Sequence, residues 1–150
     1  MSMFLTRSRL KRILDPDRIV SAIRGAEAAC SAEIRVSVSG ALWGDPRKRA
    51  EKAFVKLGMA KTEHRNGVLI YLMPHRRRFA VLGDSGIHAA VGQAFWDATA
   101  AAMGERFKSG DFTGGLEHGI AEAGRQLAKH FPAEAGGNPN ELPDQVDIGG

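Results

Sequence analysis

The sequence of 150 residues has little of the chemistry that stabilises small secreted or metal-dependent folds, with one cysteine, one tyrosine and two tryptophans. A lone cysteine, Cys30, cannot form an internal disulfide and leaves no thiolate cluster for zinc. No stretch approaches the roughly 18 uncharged apolar residues that a membrane-spanning helix needs, and the N-terminus has no continuous hydrophobic signal core. We therefore expect a cytoplasmic protein of one domain. Cys30 lies at a predicted helix end, which favours a buried thiol.

Sequence motifs for the common catalytic sites are also missing. There is no glycine-rich nucleotide-binding motif, no P-loop and no HExxH, and the histidines lie in separate segments. The four residues 83–86 read Gly-Asp-Ser-Gly, as around the nucleophile of chymotrypsin-like proteases. Such enzymes need two β-barrels with a histidine and an aspartate upstream, which a short, helix-rich chain cannot supply. The sequence thus assigns no catalytic residue.

The charge is unevenly distributed. Residues 1–132 hold all 21 basic residues but only 13 of the 17 acidic ones, so the body is basic and the tail acidic. The basic residues are not interleaved with aromatics, and specific nucleic-acid binding is therefore not expected. The densest cationic cluster, Arg76, Arg77 and Arg78, is either a solvated turn or a contact for an anionic surface. A protein partner, including a membrane protein, is the partner we expect, and the sequence leaves the oligomeric state open.

Three regions follow from composition. Residues 1–14 are a basic lead-in whose apolar side chains either dock on the domain or lie on a membrane surface, which would make the protein peripheral to the membrane. Residues 15–132 form an α/β domain. Residues 133–150 are an acidic tail rich in proline and glycine, with Leu142, Val146 and Ile148 as its anchors.

Periodicity predicts a three-layer α/β/α sandwich with a small mixed sheet. Residues 31–39 alternate as a strand, residues 68–73 form the longest apolar run, and residues 79–82 return after a basic turn. A helix beginning at Asp45-Pro46 separates the first two strands, which should therefore be parallel, whereas the third should be antiparallel. Asp15-Pro16 should start another helix in the same way. Residues 93–108 and about 113–130 should be helices, the last with glycines that permit close packing.

The hairpin should bring Asn66 and Asp84 to one edge of the sheet, beside Glu33 at the start of the first strand. Their oxygens would suit a hard cation, calcium or magnesium. A purely structural alternative is that Gly83 and Gly86 permit a tight turn while Asp84 and Ser85 satisfy its amides. The sequence leaves both interpretations open.

Four separated segments resemble the TPM-domain family: EIRV at 33–36, RNGVLIY at 65–71, FAVLGDSGI at 79–87 and FKSGDF at 107–112. The resemblance spans about residues 15–132 and implies an α/β/α sandwich. Known members include one with weak acid-phosphatase activity in photosystem repair, and some bind calcium. The chain resembles a shorter bacterial subgroup without signal peptide and membrane anchor. Arg65 stands where many members have an aspartate, so only Asn66 and Asp84 carry over as ligands.

The resemblance implies a binding or accessory protein in membrane-protein maintenance or the stress response, with a divalent cation as its ligand. The alternative is a weak metal-dependent acid phosphatase.

Overall fold

The structure, a computed structural model, describes residues 6–62, 65–133 and 146–148. These residues form six α-helices and four strands, together with two short 3-10 turns, Met59–Lys61 and Pro74–Arg76. In chain order the elements are α1 (Arg7–Ile13), α2 (Pro16–Ala28), β1 (Glu33–Val38), α3 (Pro46–Lys56), β2 (Gly67–Met73), β3 (Arg78–Gly83), α4 (Ser85–Val91), α5 (Gln93–Lys108), α6 (Phe112–His130) and β4 (Asp147–Ile148).

The sheet has the strand order β3-β2-β1-β4. As predicted, β1 and β2 are parallel and β2 and β3 are antiparallel. The fourth strand was not predicted, because its two residues are too few to show a period. It pairs parallel with β1 and is tied to it where the Ser37 hydroxyl donates to the Asp147 carboxylate at 2.8 Å.

Alternation along the strands separates two cores, and the predicted three-layer sandwich is confirmed. Ile34, Val36 and Val38 face the main core, which α2, α5 and α6 cover. The other side of the sheet presents Tyr71 and Met73 to α3, whose Ala50 is fully buried between them. Phe54 of α3 and Leu57, which follows the helix, are half-buried on this side of the sheet.

The two Asp-Pro helix starts differ in how they are capped. The Asp15 carboxylate accepts a hydrogen bond from the Arg18 amide at 3.3 Å, as an N-cap should. Asp45 begins α3 at the expected place, but its side chain makes no capping hydrogen bond. Gly58 follows the end of α3 with a φ of 72° that an L side chain rarely adopts. Helix α4 begins at Ser85, directly after its N-cap Asp84.

The glycines of α6 lie where neighbouring helices approach closely, as predicted. A Cβ on Gly115 would overlap the Phe107 ring, and one on Gly119 would overlap the Met103 side chain. A Cβ on Gly124 would lie 2.7 Å from the Ala26 Cβ of α2. At these positions glycine lowers the helix propensity, but it allows the helices to pack closely.

Both ends of the described chain dock on the main core. Leu10 and Leu14 of the basic lead-in are buried in it, which favours the docking interpretation, although Ile13 is 42% exposed. Val146 and Ile148 also pack against this core, while Leu142 lies outside the described residues. None of the helices formed by the described residues is long and apolar enough to cross a membrane.

Candidate functional site

Three predicted site residues lie at one edge of the sheet, where β1 and β2 begin and β3 ends. The Glu33 amide donates to the Asn66 carbonyl at 3.3 Å, and the Asp84 amide donates to the Gly67 carbonyl at 2.9 Å. Glu33, Asn66 and Asp84 are each more than nine-tenths buried. The backbones of Glu33, Asn66 and Asp84 therefore lie together at one edge of the sheet, as predicted.

Among the described residues, Arg65 is the group that faces the Asp84 carboxylate. Its Nε lies 2.8 Å from Oδ2 of Asp84 and its second guanidinium nitrogen lies 3.0 Å from Oδ1, which is a bidentate ion pair. The Arg65 side chain is 54% exposed, so the pair joins a surface cation to a buried carboxylate.

The backbone of Arg65 also contacts the loop that follows β3. Its φ of 50° is left-handed, an uncommon conformation for a residue other than glycine, asparagine or aspartate. The Arg65 carbonyl accepts a hydrogen bond from the Gly86 amide at 2.9 Å. The main chain and the side chain of Arg65 thus both hold the connection between β3 and α4, the carbonyl through Gly86 and the guanidinium through Asp84.

Asp84 has a second structural role as the N-cap of α4, where its Oδ1 accepts from the Ser85 amide at 2.7 Å. Burial of this carboxyl acts to raise its pKa, but the hydrogen bonds from Arg65 and Ser85, together with the charge of Arg65, outweigh burial. The pKa of Asp84 is consequently lowered. The carboxylate stays ionised and engaged at neutral pH.

Asn66 holds the start of the neighbouring strand. Its side-chain nitrogen donates to the Ser31 carbonyl at 3.0 Å, and its amide donates to the Thr62 hydroxyl at 3.2 Å. These contacts tie the connector before β2 to the segment before β1. Asn66 therefore fixes the geometry of the edge as well as being a candidate ligand.

The structural interpretation of the Gly-Asp-Ser-Gly loop is correct for Asp84 and needs revision for the glycines. Neither Gly83 nor Gly86 has a positive φ. Gly83 is required instead by close approach, because a Cβ there would lie 2.8 Å from Cζ2 of Trp96. Glycine is therefore needed at position 83 for the packing of the Trp96 indole ring, and not for the backbone freedom of a tight turn.

The cation predicted at Asp84, Asn66 and Glu33 stays a prediction. Among the residues that the structure describes, no three His, Cys, Asp or Glu side chains come together in a group that could hold a metal ion. A cation that used Asp84 would have to displace Arg65 from the carboxylate. The arginine before Asn-Gly is visible in the sequence. Its pairing with Asp84 was not predicted, because the two residues are 19 positions apart.

The basic turn, residues 75–78, lies at the opposite end of the β2–β3 hairpin. Arg76, Arg77 and Arg78 are all exposed, and Arg77 donates to the Lys108 carbonyl at 3.2 Å. Within the described part of the chain, Arg76 and Arg78 form no ion pair. The turn therefore presents guanidinium groups to solvent.

Comparison with known proteins assigns this architecture. The sequence matches the TPM domain family over residues 7–126. The structure is similar to the solution structure of the BA42 protein from the psychrophilic bacterium Bizionia argentinensis, with a TM-score of 0.85, 39% sequence identity, and coverage of 95% of this chain and 99% of that chain. No curated protein matches the chain.

Two more distant structures share the fold alone. The N-terminal domain of a P. gingivalis protein has a TM-score of 0.67 at 17% identity, with 79% of each chain covered. The N-terminal domain of the cg2496 protein from Corynebacterium glutamicum has a TM-score of 0.56 at 18% identity, covering 87% of this chain and 75% of that chain. From the family match and the identity to BA42, we conclude that the chain belongs to the TPM domain family.

Proposed function

We propose that this TPM domain is a non-catalytic binding module for a protein partner, an accessory factor in membrane-protein maintenance or the stress response. The observation that carries the proposal is the bidentate pair of Arg65 and Asp84. It engages both oxygens of the one carboxylate that family resemblance offers as a ligand. The edge acts as a structural joint that holds β3 and α4 in place.

A binding role fits the distribution of exposed charge. Among the described residues, the exposed side chains of the basic turn include Arg76 and Arg78, which form no ion pair there and can contact another molecule. Guanidinium groups suit carboxylates through paired hydrogen bonds, so the acidic face of a protein is the surface this turn would recognise.

The second candidate is a weak metal-dependent acid phosphatase, favoured by what the family resemblance implies. There, calcium or magnesium at Asp84, Asn66 and Glu33 would supply the positive charge that polarises a phosphoryl oxygen. The two candidates are exclusive at Asp84, because the carboxylate faces either Arg65 or the cation. The half-exposed Arg65 side chain has room to swing away, so the candidates are separable by experiment.

The test is hydrolysis of a generic aryl phosphate with calcium or magnesium present, comparing the wild type with Asp84→Asn. Asp97→Asn on α5 is the matched control, since Asp97 is exposed and accepts only from Gln93 in the described residues. The proposal expects the same background rate from all three proteins. Turnover that the Asp84 variant loses and the Asp97 variant retains would establish the phosphatase instead.

A further inference from the structure

We propose that the outer edge of β3 is the binding surface itself, and that it takes an extended peptide of the partner as an added antiparallel strand. This inference rests on the proposed binding function and specifies its partner class. Strand β3 is the terminal strand of the sheet on the side opposite β4. Its outer edge adjoins the basic turn through Arg78, the first residue of the strand.

The hydrogen-bonding pattern identifies the backbone groups that face outward. The Asp84 amide donates to the Gly67 carbonyl, and bonded pairs recur at every second residue of an antiparallel ladder. Arg78, Ala80 and Leu82 therefore bond to β2. The N–H and C=O groups of Phe79, Val81 and Gly83 point away from the sheet, and none of the described residues bonds to them.

Within residues 79–83, this edge has no charge, proline or bulge that would oppose strand addition. Natural edge strands are blocked by an inward charge, a proline, a bulge or a covering element. Residues 79–83 read Phe-Ala-Val-Leu-Gly and pair with β2 in unbroken register, without a bulge. The unpaired groups are thus available to the backbone of an added strand.

The walls of the edge favour a single extended chain over a second copy of the domain. A cavity of ≈ 240 Å³ runs beside Phe79 and Val81, between Pro46 and Arg47 of α3 and Asp97 of α5. A smaller cavity of ≈ 50 Å³ continues it past Gly83. A peptide fits between these helices, whereas a second domain would bring its own flanking helices against them.

Two side chains specify the peptide. Trp96 lines both cavities beside Gly83, and its buried indole N–H has no acceptor among the described residues, so its ring forms a wall of the peptide site and its N–H signal reports on that site. At the other end Arg78 joins the exposed turn and favours an acidic residue. The chemistry therefore selects an extended segment with an acidic end beside Arg78.

The experiment titrates the whole protein with a capped synthetic heptapeptide and monitors the amide shifts by NMR. The peptide alternates valine and threonine and carries a glutamate at each end. Binding as a strand predicts saturable shifts at Phe79, Val81 and Gly83 and at the Trp96 indole N–H. The same peptide N-methylated at every residue between the glutamates has no N–H group to donate along either edge, so it cannot form the ladder and should cause none of them. A Trp96→Phe variant should bind the unmethylated peptide more weakly, because it loses half of the ring that lines both cavities.

The proposal is overturned if the unmethylated peptide causes no saturable shift at millimolar concentration, if the methylated peptide binds equally well, or if the shifts map to another surface. These outcomes leave the binding function itself intact. That function fails separately, through aryl phosphate turnover that depends on Asp84.

Discussion

The guanidinium of Arg65 holds both oxygens of the Asp84 carboxylate, at 2.8 and 3.0 Å. The pair spans the sheet edge where the TPM family resemblance suggested a divalent cation. The positive charge of Arg65 thus neutralises the buried Asp84 carboxylate, as a bound cation would. The joint also uses a left-handed backbone at Arg65, which indicates that the contact is strongly determined by its surroundings.

Removing the guanidinium should destabilise the domain in a pH-dependent way. With Arg65→Ala, Asp84 stays buried without its cation, so Tm should fall at neutral pH. The folded pKa of Asp84 is lowered from 3.8, so in the wild type its stabilising effect is complete above that pH and is lost as pH falls further. The Tm difference between wild type and variant should therefore be constant from pH 8 to about 5 and shrink below about pH 4.

Arg47→Ala provides the control for this ion pair. Arg47 and Glu51 form an exposed pair at 3.5 Å on α3, and exposed pairs of this kind contribute little. Its Tm should not change measurably at any pH. Equal losses in the two variants, or a loss with Arg65→Ala that is independent of pH, would contradict the role assigned to Asp84.

Two glycines at the α2–α6 interface should respond in opposite ways to alanine. Gly25 of α2 has no atom within 4 Å of an added Cβ, so Gly25→Ala should stabilise by up to about 1 kcal/mol through helix propensity. Gly124→Ala would overlap Ala26, and overpacking costs about 1–3 kcal/mol, more than the propensity gained. Urea denaturation measures both, and a stabilising Gly124→Ala would refute the close packing.

The two helix starts make a second matched pair. Asp15→Ala removes a capping hydrogen bond and should lower the free energy of unfolding by about 1 kcal/mol. Asp45→Ala removes none and should leave it nearly unchanged. Denaturant titration of the two variants decides this, and equal losses would mean that Asp45 caps α3 in solution.

Cys30 should be unreactive until the protein opens. The thiol is fully buried, and burial raises its pKa, so little thiolate is present at neutral pH. A chromogenic disulfide reagent should modify native protein slowly and urea-unfolded protein at once. Immediate reaction of the native protein would contradict the packing of Cys30 between α2 and β1.

The sequence was sufficient to predict most of the fold because its strongest signals are periodic or tied to caps. Helix α5 was predicted with its true bounds, and Trp96, Thr99, Met103 and Phe107 are buried at the spacing of one helical face. The order of elements set the directions of β1, β2 and β3. Strand β4 escaped prediction because pairing with β1, and not its own pattern, makes Asp147–Ile148 a strand.

The site was predicted in position but not in chemistry. Topology brought Asn66 and Asp84 together, since antiparallel pairing fixes which chain ends meet. Which group faces Asp84 depends on the left-handed turn at Arg65 and on where its long side chain then reaches, and no spacing rule encodes either. The role of Gly83 was missed for the same reason, because Trp96 approaches it from a separate helix.

Arg65 supplies the positive charge that faces Asp84, so we expect the wild type to take up no divalent cation at this edge. A calcium titration of the full chain, monitored by amide NMR with Arg65→Asp measured alongside, tests this expectation. We predict no saturable shifts at Asn66, Gly67, Asp84 or Ser85 in the wild type up to millimolar calcium, and saturable shifts at these amides in the variant. Saturable shifts at the same amides in the wild type would contradict the account.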